Sequence, residues 1–315
     1  VPGLARDAHA AALDGVIAEA VSRAGLESVA QVDAFAVTVG PGLEICLRVG
    51  CNKAISLAVE HGRPFVGVHH LEAHCLMARQ AAVASGEEPP RYPFLCLLVS
   101  GGHCQLLLCR GAGDFAVLGS TLDDALGEAY DKVARLLGLD VGGGGGPALE
   151  AFAAKGDASR VAFPVPMQKR KDTHFSFAGL KTAVRTRVAA LGEGGGSEQD
   201  RADIAAAFQE SAVTHLEQRL RIALERCAAE DAVPDLDTLV VSGGVAANGV
   251  VRARLGALCD EWGLRMVVPP PRLCTDNGAM VAWAAIERIE LGGSDRAEGT
   301  QVRARWPLGK ALALD

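Results

Sequence analysis

Apolar positions in this chain fall into short runs bounded by glycine, proline and polar clusters, and these runs alternate with segments of helical period. A stripe at Leu13, Val16, Ile17 and Val21 predicts a helix over 8–24. The run at 34–39 predicts a strand closed by Gly40-Pro41-Gly42, with a helix over 43–59 behind it. Pro64-Phe65-Val66-Gly67-Val68 predicts a buried strand that feeds a helix opening at His70. The first part therefore reads α-β-α-β-α, a parallel unit with right-handed crossovers. Beyond the polar, Pro-rich stretch 87–91, three strands follow directly at 94–99, 105–109 and 115–118, joined by hairpin-like turns. A helix over 124–137 comes next. The region of about 141–200 reads as an irregular insert, with glycine runs at 142–146 and 194–196 and a Pro-rich piece at 163–167. A long helix (201–229), a strand (238–241), a helix from 246, a strand (266–268) and a helix (276–289) complete the pattern.

With the insert set aside, the second part reads β-β-β-α-β-α-β-α. The first part reads as the tail of the same order with its opening three strands absent, which is an internal duplication. The expected fold is α/β, of the actin-like ATPase (ASKHA, hexokinase/heat-shock ATPase) type. It would have two duplicated lobes with a central cleft, the first lobe lacking its opening strands. Residues 1–91 would form the first lobe, completed by 291–315, and residues 92–290 the second, carrying the insert. Two unrelated α/β domains would give the same pattern.

Composition narrows the picture. The chain has 315 residues, enough for two lobes, with 49% apolar and only 4% aromatic residues, so its interior is aliphatic. A net charge of −7 and a pI near 5.7 exclude a global basic field; any nucleic-acid partner must be held by a local patch. The nine cysteines form no C-x-x-C pair, and Cys46, Cys51, Cys96, Cys104 and Cys109 sit in apolar runs. A reducing compartment, without structural disulfides or a zinc ribbon, is expected. No apolar stretch is long enough to span a bilayer, so no membrane partner is expected. The chain opens on Val1 rather than Met, and no signal or transit segment is visible.

Candidate chemistry centres on His70-Leu71-Glu72-Ala73-His74. On a helix, residues four apart share a face, so two imidazoles at the carboxyl end of a strand can share one metal ion. A zinc-protease reading needs a Glu immediately after the first His. Glu72 is two residues on, about 200° around a helix at about 100° per residue, and points away. Asp276, just beyond a later strand, is the candidate third ligand; a helix N-cap is its other possible role. The Gly-Gly turn Ser100-Gly101-Gly102-His103 is suited to phosphate or carboxylate, or is an ordinary hairpin turn. Ser242-Gly243-Gly244 leads from a strand into a helix, as nucleotide-binding turns do, with Asn248 placed to read a base or ribose. Gly142–Gly146 before Pro147 is a linker or a substrate-touching loop. Asp123 and Asp124 follow a strand, and Asp131 and Lys132 lie on the next helix. Lys169, Arg170, Lys171, Lys181, Arg185 and Arg187 surround His174-Phe175-Ser176-Phe177 and form either an RNA-backbone contact or a solvated basic surface.

Five segments occur in order across nearly the whole chain: Val68-His69-His70-Leu71-Glu72-Ala73-His74, Leu98-Val99-Ser100-Gly101-Gly102-His103, Gly127-Glu128-Ala129-Tyr130-Asp131-Lys132, Phe175-Ser176-Phe177-Ala178-Gly179-Leu180-Lys181 and Cys274-Thr275-Asp276-Asn277-Gly278. Together they resemble the tRNA N6-adenosine threonylcarbamoyltransferase family (TsaD, formerly called O-sialoglycoprotein endopeptidase). The resemblance implies transfer of threonylcarbamoyl from threonylcarbamoyl-AMP to N6 of the adenosine 3′ of the anticodon, in tRNAs reading codons that begin with A. It also implies one divalent metal ion per subunit, iron or zinc, on His70, His74 and Asp276. The adenylate would be held by Leu98, Val99, Ser100, Gly101, Gly102, Asp131, Gly146 and Asn248. No nucleophile is required, and no general base is assigned. Family members open with a strand and phosphate loop that precede the first residue here. Pro269-Pro270-Pro271-Arg272-Leu273-Cys274-Thr275-Asp276 and Pro41-Gly42-Leu43-Glu44-Ile45-Cys46-Leu47-Arg48-Val49-Gly50 resemble the organellar branch. A mitochondrial location is therefore expected, with plastid or bacterial cytoplasm as alternatives, and a homodimer or accessory subunits as partners. A small-molecule carbamoyltransferase, a non-catalytic scaffold paralogue and, last, a metalloprotease are the rival readings.

Overall fold

Strand pairing sorts the chain into a two-stranded parallel sheet and a six-stranded mixed sheet. The computed structural model describes residues 2–142, 144–192, 195–229 and 233–311. The chain packs as two units, one of Val1–Gln80 with Asp276–Leu308, the other of Ala81–Thr275 with the C-terminal end.

In the first unit, β1 (Phe35–Gly40) pairs in parallel with β2 (Phe65–His69), Phe35 opposite Phe65 and Thr38 opposite Val68. Helix α1 spans Pro2–Arg23 and α2 Glu44–His61. Phe35, Val39, Cys51, Ala54, Ala58 and Phe65 form the core, the small residues of α2 letting it lie close on the sheet. Helix α1 starts earlier than its apolar stripe predicts and buries none of its residues; Val16, in that stripe, is exposed. Helix α3 (His70–Ser85) begins directly after β2. The 276–308 segment belongs with this unit, whereas the sequence pattern grouped 276–290 with the later lobe. Its α10 (Gly278–Glu290) is tied to β2 by Arg288, which donates to the Gly67 carbonyl at 2.9 Å, while the Asp295 carboxylate accepts from the Gly67 N–H at 2.8 Å.

The second unit has the sheet order β7-β6-β3-β4-β5-β8. Strands β3 (Phe94–Val99), β4 (Cys104–Gly111) and β5 (Asp114–Ser120) are antiparallel neighbours. Strand β6 (Thr238–Ser242) runs parallel to β3, and β7 (Arg265–Val267) parallel to β6. The two-residue β8 (Lys310–Ala311) joins β5 and was not predicted. Three antiparallel strands followed by two parallel ones is the lobe order of the actin-like ATPase fold. The β1–β2 pair repeats the β6–β7 arrangement, as the duplication requires. Helices α4 (Leu126–Leu136), α5 (Gly145–Ala153), α6 (Ala178–Ala189), α7 (Glu198–Ala228), α8 (Gly249–Trp262) and the short α9 (Pro271–Cys274) complete the unit. Leu95, Leu97 and Val99 of β3 share one core with Tyr130, Phe208, Leu216 and Leu255.

The region read as an irregular insert holds α5 and α6. Helix α6 is set by tertiary anchors. Phe175 and Phe177 are fully buried ahead of it, and the Asp123 carboxylate accepts from the Phe177 and Ala178 N–H groups at 2.8 and 3.3 Å. Gly143 and Gly194 of the glycine runs, and 312–315 of the expected C-terminal completion, lie outside the described residues. None of the nine cysteines is joined in a disulfide, and eight are buried. No described helix is long and apolar enough to cross a membrane.

Candidate metal centre and phosphate-type loops

His70 and His74 owe their positions to a strand-to-helix junction without a spacer. All five residues of β2 are buried, and α3 starts at the next position. His69 closes the junction: its Nδ1 accepts from the Leu71 N–H at 3.1 Å, and its Nε2 lies 2.8 Å from the Trp306 carbonyl oxygen. One tautomer, with the proton on Nε2, satisfies both contacts. The imidazole thus does the work of an N-cap, a role that sequence reading assigns to Ser, Thr, Asp or Asn.

The rings of His70 and His74 lie with centroids 4.8 Å apart at 78°. Asp276 Oδ1 is 3.6 Å from His70 Nε2 and 3.0 Å from His74 Nε2. Ligand atoms of all three residues fall within 4.8 Å of one another. Bond lengths of about 2.1 Å in a tetrahedral site put ligand atoms about 3.4 Å apart, so this donor set fits one cation with little rearrangement. Two imidazoles and a carboxylate suit zinc and ferrous iron alike and leave coordination positions open. Asn277, not Asp276, takes the capping role: its Oδ1 accepts from the Met280 N–H at 2.9 Å and starts α10. The side chain of His74 is 6% exposed and that of Asp276 is 78% exposed, so the cluster has a buried wall and an open side. All three residues belong to the first unit. Glu72 is buried and stands outside the cluster.

A brace missed by sequence reading ties α3 to α10. The Arg79 guanidinium donates to Glu287 at 2.7 Å, and the Trp283 indole N–H donates to the same oxygen at 2.6 Å. The Glu287 side chain is 7% exposed. The pair links the helix bearing both histidines to the helix that follows Asp276.

In the second unit, parallel pairing of β3 with β6 sets Leu98 opposite Ser242, so their carboxyl-end loops lie side by side. Ser100 organises the first loop: its Oγ accepts from the Gly102 and His103 N–H groups at 3.3 and 3.0 Å. Gly101 and Gly102 are exposed, and a Cβ on either would meet open space. The fold therefore does not demand glycine at either position. Leu98 and Val99, by contrast, bury their side chains, so only their backbone could touch a substrate. Two glycines are demanded by packing. A Cβ on Gly127 would lie 2.7 Å from the Ser100 carbonyl oxygen, and one on Gly243, at φ +94°, would lie 2.3 Å from that of Val99. They draw α4 and the 3₁₀ turn Gly244–Ala247 onto the Ser100 loop.

Asp131 lies directly against Gly145 at the start of α5, which brings it beside Gly146. Asn248 is nearly buried and both ends of its amide are engaged. Oδ1 caps α8 by accepting from the Val251 N–H at 2.9 Å, and Nδ2 donates to Gln209 at 3.2 Å. Glu150 of α5 accepts from the Gly249 N–H at 2.7 Å and ties these loops together.

Of the basic residues, Lys169, Arg170 and Lys171 are exposed on a turn whose backbone is held from beneath by buried Arg219, which donates to the carbonyls of Arg170 and Asp172 at 2.9 and 2.7 Å. Burial lowers the Arg219 pKa, the positive charge of Arg170 lowers it further, and Asp172 opposes both. Lys181 and Arg185 lie on α6, away from that turn in sequence, and Lys181 pairs with Asp124 at 2.5 Å.

Comparison with known proteins places the chain in a family. A family model described as TsaD, tRNA N6-adenosine threonylcarbamoyltransferase, matches residues 1–283. A probable mitochondrial tRNA N6-adenosine threonylcarbamoyltransferase of Arabidopsis thaliana is 44% identical over 329 residues, covering 99% of this chain and 67% of that protein. A bacterial tRNA N6-adenosine threonylcarbamoyltransferase, from Agrobacterium fabrum, is 48% identical over 318 residues, covering all of this chain and 84% of its own. Among solved structures, HypF of T. kodakarensis aligns with a TM-score of 0.59 at 15% identity, covering 85% of this chain and 41% of that one, a likeness of fold alone. The chain therefore belongs to the tRNA N6-adenosine threonylcarbamoyltransferase family, TsaD.

Proposed function

We propose that this protein transfers threonylcarbamoyl from threonylcarbamoyl-AMP to N6 of the adenosine 3′ of the anticodon, in tRNAs reading codons that begin with A. The observation that carries the reading is the convergence of His70, His74 and Asp276 in a chain that matches the transferase family over residues 1–283. The donor is a mixed anhydride. The N6 amine attacks its carbonyl carbon, the bond to the phosphate oxygen breaks, AMP leaves, and the amine proton is lost to solvent. This chemistry needs no protein nucleophile.

His70, His74 and Asp276 would hold one divalent ion, iron or zinc, which when bound supplies a Lewis acid for a carbonyl or phosphate oxygen. The exposed backbone of Gly101 and Gly102 and the turn at Gly244 would receive the adenylate phosphate, with Asp131 and Gly146 beside it. Backbone donors fixed in this way need no reorganisation as charge develops on the leaving phosphate. The basic residues Lys169, Arg170, Lys171, Lys181 and Arg185 would face tRNA. The Arabidopsis relative supports a mitochondrial location, and bacterial relatives support a bacterial cytoplasm. A homodimer or accessory subunits would complete the assembly, which sedimentation of the purified protein measures. The test of function is nucleoside mass spectrometry of tRNA incubated with threonylcarbamoyl-AMP and the protein. Threonylcarbamoyladenosine at the anticodon-adjacent position is the expected product.

A further inference from the structure

Helices α4 and α6 enclose a cleft of about 330 Å³ lined by Lys132, Arg135, Leu136, Lys181, Thr182 and Arg185. Four of these six side chains are cationic. The lysines are committed: Lys132 binds Asp124 and Glu128, each at 2.8 Å, and Lys181 binds Asp124 at 2.5 Å. Asp124 is thereby a pin between the two helices, its side chain 16% exposed. Burial alone would raise its pKa, but the two lysine contacts outweigh that and lower it.

The arginines differ. Arg135 and Arg185 are exposed, and neither makes an ion pair among the described residues. Counting Asp124 and Glu128 against the four cations leaves a local excess of two positive charges, carried on the two guanidiniums, in a chain of net charge −7. Arg135 sits in the last turn of α4, where a cation also suits the helix dipole. That does not account for Arg185, in the middle of α6. Guanidinium forks match phosphate oxygens bidentately, and a globally acidic protein can hold a polyanion only through such a local patch.

We propose that the α4–α6 cleft is a binding site for the sugar-phosphate backbone of RNA, with Arg135 and Arg185 as the phosphate contacts and Lys132, Lys181 and Asp124 as the frame that spaces them. The proposal rests on the tRNA-modifying reading and locates a part of that surface. It adds α4 to the basic residues singled out from sequence and removes Lys181 from direct contact, because Asp124 already holds it.

The test uses the full chain and unmodified tRNA, with binding followed by fluorescence anisotropy across a salt series. Arg135→Gln/Arg185→Gln changes two exposed side chains and should leave the melting temperature unchanged. Each lost phosphate contact lowers the slope of log K against log salt by about 0.7–0.9, so the double variant should lose about 1.5 from the slope and bind tRNA about tenfold more weakly at physiological salt. Binding of AMP, the probe for the adenylate loops, should be unchanged. An unaltered tRNA slope and affinity would overturn the proposal. So would weakened AMP binding with intact tRNA binding, which would assign the arginines to the nucleotide, and so would an acidic protein partner as the only ligand lost. A wild-type protein that binds tRNA with the expected slope yet transfers nothing would defeat the proposed activity and leave this site standing.

Discussion

Replacing His215 with phenylalanine tests how the start of α6 is held. His215 lies on α7, is fully buried, and packs edge-on against Phe175 and Phe177, with centroids 6.0 and 5.4 Å away. Its Nε2 accepts from the Ser176 N–H at 3.2 Å, which requires the neutral ring. Desolvation is the main cause that lowers its pKa from 6.5 to about 4; the charge of Arg219 adds to it, and Asp123 and Asp172 oppose. The unfolded chain therefore binds a proton near pH 6.5 that the folded chain refuses until about pH 4. This stability is fully present above pH 6.5 and is lost as pH falls toward 4. A shift of this size, at about 1.4 kcal/mol per unit, is worth about 3 kcal/mol in full and about 2 kcal/mol by pH 5. In His215→Phe the Ser176 N–H loses its acceptor, costing about 1–3 kcal/mol at neutral pH, but the protonation penalty disappears. Urea unfolding of both proteins at pH 7 and pH 5 should show the wild-type advantage shrinking by about 2 kcal/mol. An advantage independent of pH would refute the neutral buried imidazole.

Three further outcomes follow from the sites. Asp276→Asn changes an exposed side chain and should keep the fold while lowering bound zinc or iron at least about tenfold, read by elemental analysis after dialysis. Glu287→Gln removes the charge from the nearly buried carboxylate that accepts from both Arg79 and Trp283, and should cost about 1–3 kcal/mol in urea unfolding, with weaker metal retention at temperatures where the protein remains folded. Gly101→Ala should leave the melting temperature unchanged and raise the KM for threonylcarbamoyl-AMP, whereas Gly243→Ala should destabilise the protein outright, because its Cβ would collide with the Val99 carbonyl. Equal thermal loss in both variants would contradict the distinction drawn between ligand-facing and packing glycines.

Strands β1 to β7 were legible because each is a short apolar run between turn formers. The histidine pair was legible from spacing alone. Helix α6 was not, since its start depends on Asp123, distant in sequence, and on two buried phenylalanines. Strand β8 is too short to leave a pattern. Asp276 and Asn277 are both good capping residues, so only the structure shows that Asn277 caps and Asp276 turns to the histidines. His69 left no signal, because an imidazole that accepts from a helix N–H resembles any other histidine beside a strand. The Arg79–Glu287 brace joins residues far apart in the chain, which no local period can reveal.

The most direct measurement of the central claim is nucleoside mass spectrometry of tRNA after incubation with threonylcarbamoyl-AMP, comparing wild type with Asp276→Asn. Threonylcarbamoyladenosine next to the anticodon is expected with the wild type, and a loss of at least about tenfold in initial rate with the variant, in step with its metal content. Product formed at the wild-type rate by a metal-free Asp276→Asn protein would contradict that claim.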